Sequence, residues 1–413
     1  MADVQGTFDE RFGAVRDAFA ESLDNEDVGA SVAVDVGGEL VVDLWGGYAD
    51  EARTVPWEQD TIVNVWSSTK PMAALCALVL ADRGELDLDA PVARYWPEFA
   101  AEGKGGVLVR HVLSHTSGLP SWTEPTTLAE LYDWDLVTGR LAAQRARAEP
   151  GTEAAYHSVT QGYLVGEVIR RVTGRTCGEF FAEEVAGPLG ADFHIGLGAE
   201  HDHRVAPVIP PPETAPWTND AGIEPNPLVP PEVANTPEWR RAEIPSAGGH
   251  GNARSMARAQ SVLACGGEVR GVRLLSAAGC ERVREVQFEG PDLVLGTPVR
   301  WGLGYGVNGG TCSWGGWGGS MVLVDLDARM TVAFAMNQML DKGSLGDERA
   351  LGLVMAAYGA RAERSRGGRR IPAATRRPGA RGTGLRERPP DHVPAAPAFV
   401  TSIVISGGAR QPG

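Results

Sequence analysis

The feature that most narrows what this chain can fold into is where its strand-like stretches fall. Residues 29–45 read as a hairpin. Val32, Val34 and Val36 alternate with smaller or polar residues, Gly37-Gly38 supplies a two-residue turn, and Leu40, Val42 and Leu44 return in register. The next clear alternation comes only near the other end. Trp301, Leu303, Tyr305 and Val307 share one face of a strand expected over 300–308, and 319–326 with 330–337 form a second hairpin around Asp327-Ala328-Arg329. A closing helix is expected over 345–358. The intervening chain reads as mostly helical. The expected fold is α+β: an antiparallel sheet built from N- and C-terminal strands, flanked by helices, with a mainly helical insertion. One domain is expected over 1–360, with the sheet from about 29–66 and 297–360 and the helical region over about 67–296.

Inside the insertion, residues 63–75 (VNVWSSTKPMAAL) place Ser67 and Lys70 three residues apart at the head of an apolar, helix-like run. Such residues share a helix face. A serine hydroxyl becomes a useful nucleophile when an adjacent base takes its proton. Burial pushes a lysine towards the neutral form that can do so. The N–H of a residue in a first helical turn is free to hold an oxyanion. Pro71 is compatible with that first turn.

Residues 8–23 read as an amphipathic helix, and 71–83, apolar nearly all round, as a buried one. His111 and His115 lie four apart in 107–122, but no glutamate follows His111, so the metalloprotease pattern is missing. That stretch reads as a helix closed at Gly118. His201 and His203 flank Asp202 in a polar loop and carry no stronger metal signal. Tyr156 and Ser158 precede a helix that ends at Gly174. Residues 207–245 hold 11 prolines, a stretch long enough to be an ordered functional loop; a pocket wall and a plain surface excursion are both open readings. Gly304, Gly306 and Gly309 match G-x-G-x-x-G, but a strand follows where a dinucleotide fingerprint needs a helix.

Charge and cysteine usage exclude other classes. The net charge of −15 over 413 residues argues against nucleic acid as the main partner. It is uneven: 11 arginines against three acids give +8 from Arg361 onward, leaving −23 for the first 360 residues. The tail over 361–413, rich in Arg, Pro and Gly, reads as disordered. Cys76, Cys177, Cys265, Cys280 and Cys312 are scattered and lack any C-x-x-C pair, which suits reduced thiols. The N-terminus is acidic and polar, unlike a secretory signal, and the longest apolar run, 73–81, cannot span a bilayer. The expectation is a soluble cytoplasmic protein with no membrane partner.

Three segments, Ser67-Ser68-Thr69-Lys70, Tyr156-His157-Ser158 and Trp314-Gly315-Gly316, occur in an order that resembles the serine β-lactamase and penicillin-binding-protein superfamily. The likeness is nearest to the family VIII carboxylesterases, which are similar to class C β-lactamases, and spans about residues 8–360. It includes the segments 114–120 (SHTSGLP), 245–251 (PSAGGHG) and 333–339 (AFAMNQM). The resemblance implies the β-lactamase-like form of the α+β fold. It makes Ser67 the nucleophile and Lys70 with Tyr156 the general base and acid. The oxyanion site falls to the backbone N–H groups of Ser67 and Trp317, and substrate contacts to Ser158, Trp314, Gly315 and Gly316. No cofactor and no metal is implied. The partner is a small-molecule ester or amide.

Two departures matter. Trp314 stands where β-lactamases and penicillin-binding proteins carry a cation, and Ser158 where asparagine is common. A lysine there can hold a substrate carboxylate, whereas an indole offers an apolar face and one N–H. The W-G-G variant occurs among the esterase members. The expected activity is therefore hydrolysis of small carboxylic esters through an acyl-enzyme. The alternatives are a β-lactamase or D-amino-peptide hydrolase, an acyltransferase using the same acyl-enzyme, and an idle binding module. The sequence leaves the oligomeric state open.

Overall fold

The computed structural model describes residues 3–211, 219, 221–340 and 347–367. Its principal sheet has nine strands: β1 (Val4–Phe8), β2 (Gly29–Val36), β3 (Glu39–Gly47), β4 (Phe288–Pro291), β5 (Pro298–Trp301), β6 (Gly306–Asn308), β7 (Thr311–Gly315), β8 (Met321–Asp325) and β9 (Met330–Met336). Their order is β1-β3-β2-β9-β8-β7-β6-β5-β4, and every neighbouring pair is antiparallel. The two hairpins read from the sequence meet at the centre, where Met330 pairs with Val36 and Met336 with Ala30. The α+β sheet assembled from both chain ends is the observed architecture.

The supporting helices include α1 (Gly13–Asn25), α2 (Lys70–Asp82), α3 (Val109–Leu113), α4 (Thr160–Thr173), α5 (Ala253–Ala264) and α6 (Glu348–Gly367). α1 and α6 pack on each other and against β2, β3 and β9, while α5 lies on β2, β8 and β9. Strands β2 and β9 are accordingly buried along nearly their whole length, as strands covered on both faces must be.

Four differences from the expected elements have physical reasons. The chain opens with an extra strand, β1, before its first helix. Four of its five residues are exposed, so an edge strand forms there without apolar alternation. The single strand expected over 300–308 is a tight hairpin, with Trp301 opposite Gly306. Gly304 makes its turn at φ +88°, and a Cβ there would come within 2.3 Å of the Ala74 Cβ. α3 stops at Leu113, well before Gly118, because His115 takes a left-handed conformation with φ 60°. α6 runs on to Gly367, past the expected boundary at 360. The expected start of that helix at Leu345 and the tail over 368–413 lie outside the described residues.

A small three-stranded sheet pairs Val63–Asn64 with Gly249–Gly251 and the latter with His194–Ile195. It brings the chain leading into Ser67 beside the glycine-rich 245–251 segment. Above this junction stand α2 and the loops before α4.

Candidate active site

Ser67 lies in a 3-10 turn, Trp66–Thr69, that leads directly into α2. The turn is latched on both sides. Ser68 Oγ lies 3.0 Å from Ser320 Oγ, and Ser320 Oγ donates to the Val65 carbonyl at 2.7 Å. Thr69 Oγ1 donates to the Trp66 carbonyl at 2.6 Å and accepts the Gly249 N–H at 2.8 Å. Trp66 itself sits at φ 49°, a conformation that costs a bulky residue about 1–3 kcal/mol and persists only where its surroundings impose it.

Three side chains converge on one oxygen. Lys70 Nζ is 3.1 Å from Ser67 Oγ, and the Tyr156 hydroxyl donates to the same oxygen at 2.8 Å. Lys70 Nζ also donates to the carbonyls of Ser158 at 2.7 Å and Ser246 at 3.1 Å. Burial lowers the Lys70 pKa well below its ordinary 10.5. A neutral amine has two N–H bonds and one lone pair. With the N–H bonds of that form given to the two carbonyls, its lone pair would be left for Ser67 Oγ, the one partner able to give a proton. Burial also raises the Tyr156 phenol above its ordinary 10, outweighing the hydrogen bond to Ser67, so Tyr156 keeps its proton at neutral pH.

Tyr156 is held from behind by Asp292, which no sequence pattern singled out, and by the 114–120 segment. Its N–H donates to Asp292 Oδ1 at 3.0 Å, and the other Asp292 oxygen accepts Trp301 Nε1–H at 3.1 Å. The His157 N–H donates to His115 Nδ1 at 3.1 Å, and the Ala155 N–H to the His115 carbonyl at 3.1 Å. His157 Nδ1 lies 2.5 Å from the Ala155 carbonyl and Nε2 lies 2.6 Å from Ser117 Oγ. Burial pushes the His157 pKa down to about 4, so the ring is neutral. The 114–120 segment is thus a clasp for the Tyr156 loop. His111 and His115 share no helix face: His111 Nδ1 accepts the Leu108 N–H at 3.2 Å, and His115 packs between Tyr156, Trp301 and Trp314.

The sequence profile of the beta-lactamase family matches residues 15–356. The chain belongs to that family. It is 36% identical over 365 residues to the esterase/beta-lactamase LipL of Mycobacterium tuberculosis (strain ATCC 25618 / H37Rv), covering 82% of this chain and 83% of LipL. Among solved structures it matches a family VIII carboxylesterase with a TM-score of 0.82 and 43% identity, over 87% of this chain and 100% of that one. It matches a penicillin-binding protein homologue from Caulobacter crescentus with a TM-score of 0.79 and 37% identity, over 87% of this chain and 100% of the other.

In this beta-lactamase-family chain a cavity opens onto Ser67, Tyr156, Ser158 and Trp317. Trp317 is the third-segment neighbour that reaches it. Trp314, Gly315 and Gly316 are not among its lining residues. Trp314 is only 2% exposed and stacks on Trp301 at 5.0 Å, in the layer behind Tyr156. Gly316 lies so close to the Ser67 turn that a Cβ would sit 2.3 Å from the Val65 carbonyl oxygen and 2.2 Å from Ser320 Oγ. Ser158 lines the cavity and offers its carbonyl to Lys70. The proline-rich stretch supplies a wall: residues 223–229 and Trp239 line the cavity. The five cysteines are buried and free, and among the described residues no helix is long and apolar enough to cross a membrane.

Sequence reasoning found Ser67, Lys70 and Tyr156 because helical spacing and segment order mark them. It missed the Ser246 carbonyl, Asp292 and Ser320, and the place of His115 behind Tyr156. Their contributions are backbone or cross-chain contacts that leave no local pattern.

Proposed function

We propose that the chain is a serine hydrolase that cleaves uncharged carboxylic esters through an acyl-enzyme on Ser67. The relatives are named as a family VIII carboxylesterase, an esterase and an esterase/beta-lactamase, and an esterase/β-lactamase-like hydrolase is the function they support. The observation that carries the finer reading is the Lys70 amine. Buried and tied to two carbonyls, its nitrogen lies 3.1 Å from a hydroxyl oxygen that also accepts from Tyr156.

Lys70 takes the Ser67 proton as Ser67 Oγ bonds to the ester carbonyl carbon. The oxyanion is held by the Ser67 and Trp317 N–H groups. The bond to the alcohol oxygen breaks, Tyr156 gives that oxygen its proton, and Tyr156 is reprotonated from Lys70. Water then attacks the acyl carbon while the same pair removes its proton, the bond from that carbon to Ser67 Oγ breaks, and Oγ takes the proton back as the carboxylic acid leaves.

Among the described residues no lysine, arginine or histidine side chain lines the cavity, which favours neutral esters over carboxylate-bearing β-lactams. A missing charged hydrogen bond costs about 1.5–3 kcal/mol, roughly tenfold or more in kcat/KM. Side-by-side kcat/KM values for p-nitrophenyl butyrate and nitrocefin test this. The ester should exceed nitrocefin by at least about tenfold; nitrocefin equal or better would restore the β-lactamase reading.

A further inference from the structure

We infer that the cavity is built for an ester carrying a bulky, uncharged apolar group, and that Leu228 at its mouth is a determinant of that preference. The inference rests on the hydrolase reading for its chemistry and concerns only what the site holds.

The cavity at Ser67 is open to solvent on one side, and its lining runs from Ser67 to the 223–229 segment. The walls are apolar: four indoles, from Trp66, Trp122, Trp239 and Trp317, face it together with the 223–229 segment. Among the lining side chains one is charged, Glu224, and it stands exposed. Among the described residues no cation there meets a substrate carboxylate, and an apolar group finds contact on several sides.

The wall is fixed before any substrate arrives. Asn226 Nδ2 donates to the carbonyls of Trp122 at 2.8 Å and Glu124 at 2.6 Å, and its Oδ1 accepts the Thr126 N–H at 2.8 Å. Ser121 Oγ donates to the Glu224 carbonyl at 3.0 Å. Asn219 closes the start of the segment, donating to the Ile223 carbonyl at 2.7 Å and accepting its N–H at 3.0 Å. A surface already ordered gives up little entropy on binding.

Leu228 departs from this pattern. Its neighbours Pro227 and Val229 are buried and half-buried, yet Leu228 is 68% exposed. A lone exposed leucine is ordinary. One held at the lip of an apolar cavity, next to a proline that stiffens its backbone, is positioned to be covered by the part of a substrate that extends beyond Ser67. An acetyl group is too short to reach it.

The test compares small and bulky neutral esters in two series. One varies the acyl group at constant leaving group, 4-nitrophenyl acetate against 4-nitrophenyl 4-phenylbutyrate. The other varies the alcohol, ethyl butyrate against 4-phenylbutyl butyrate. The wild-type bulky-to-small ratio of kcat/KM should be tenfold or more in at least one series. Leu228→Ser should cut that ratio at least fivefold, and Leu228→Phe should retain it. A ratio of one or below in both series, with the small esters turned over, overturns the inference and leaves the hydrolase reading standing. A ratio unchanged in Leu228→Ser overturns the role of Leu228. No turnover of any ester overturns the hydrolase reading itself.

Discussion

No carboxylate lies among the hydrogen-bond partners of Lys70, and burial is what holds its pKa down. The sign follows. Below the lowered pKa Lys70 is protonated in both folded and unfolded chain, and its lone pair is gone. Above it the folded chain has released a proton that the unfolded chain keeps up to about 10.4, so stability from this group rises with pH across that window. Activity is lost as pH falls through the lowered pKa. Tyr156 stays protonated beyond the ordinary phenol range, so the basic limb lies above about 10. Lys70→Ala and Tyr156→Phe should each lower kcat by about 10²–10⁴-fold, with the double variant little worse than either single one, and Lys70→Ala should abolish the acid limb of kcat/KM. Near-normal kcat in Tyr156→Phe would make Tyr156 a packing residue. The pair Ser67 and Lys70 was legible because three-residue spacing survives the change from 3-10 turn to α-helix. The Ser246 carbonyl was not, since a backbone oxygen 176 residues from Lys70 has no sequence signature.

Among the elements, α6 reaches the site without touching the cavity. Arg349 near its start is buried, donating to Asp27 Oδ1 at 2.6 Å, to Asp347 Oδ2 at 2.5 Å and to the Gly318 carbonyl at 2.6 Å. Gly318 follows Trp317, so one guanidinium ties the Trp317 loop to the end of α1 and the start of α6. Removing it leaves two buried carboxylates unpaired, a loss of about 3–5 kcal/mol. Arg349→Met should show that loss in urea unfolding and a reduced kcat where folded. Full stability would mean that the ion pairs do not hold the loop. The elements themselves were unevenly legible. The Gly37-Gly38 hairpin announced its register through strict alternation. β1 did not, because an exposed edge strand needs none, and β5 with β6 read as one strand because period-two alternation runs through the turn at Gly304.

For the whole molecule, joining both chain ends in one sheet makes the C-terminal helix part of the core. Tyr358 Oη hydrogen-bonds the Asp325 carboxylate, Arg361 bonds the Ala328 carbonyl, and Ala360 is buried. The composition change at 361 suggested a boundary there, yet α6 crosses it, since arginine is a good helix former. Truncation after Gly367 should leave melting temperature and esterase activity unchanged, while truncation after Gly359 should lower the melting temperature. Equal behaviour of the two would show that the last turns of α6 do not support the sheet.

The central claim is that Ser67 carries the acyl group, and labelling tests it most directly. The folded protein is treated with a fluorophosphonate, its intact mass is measured, and the modified peptide is mapped. The account predicts one adduct, on Ser67, lost in Ser67→Ala and much slowed in Lys70→Ala. An adduct on Ser68 or Ser320, or an unlabelled protein that still hydrolyses esters, would contradict it.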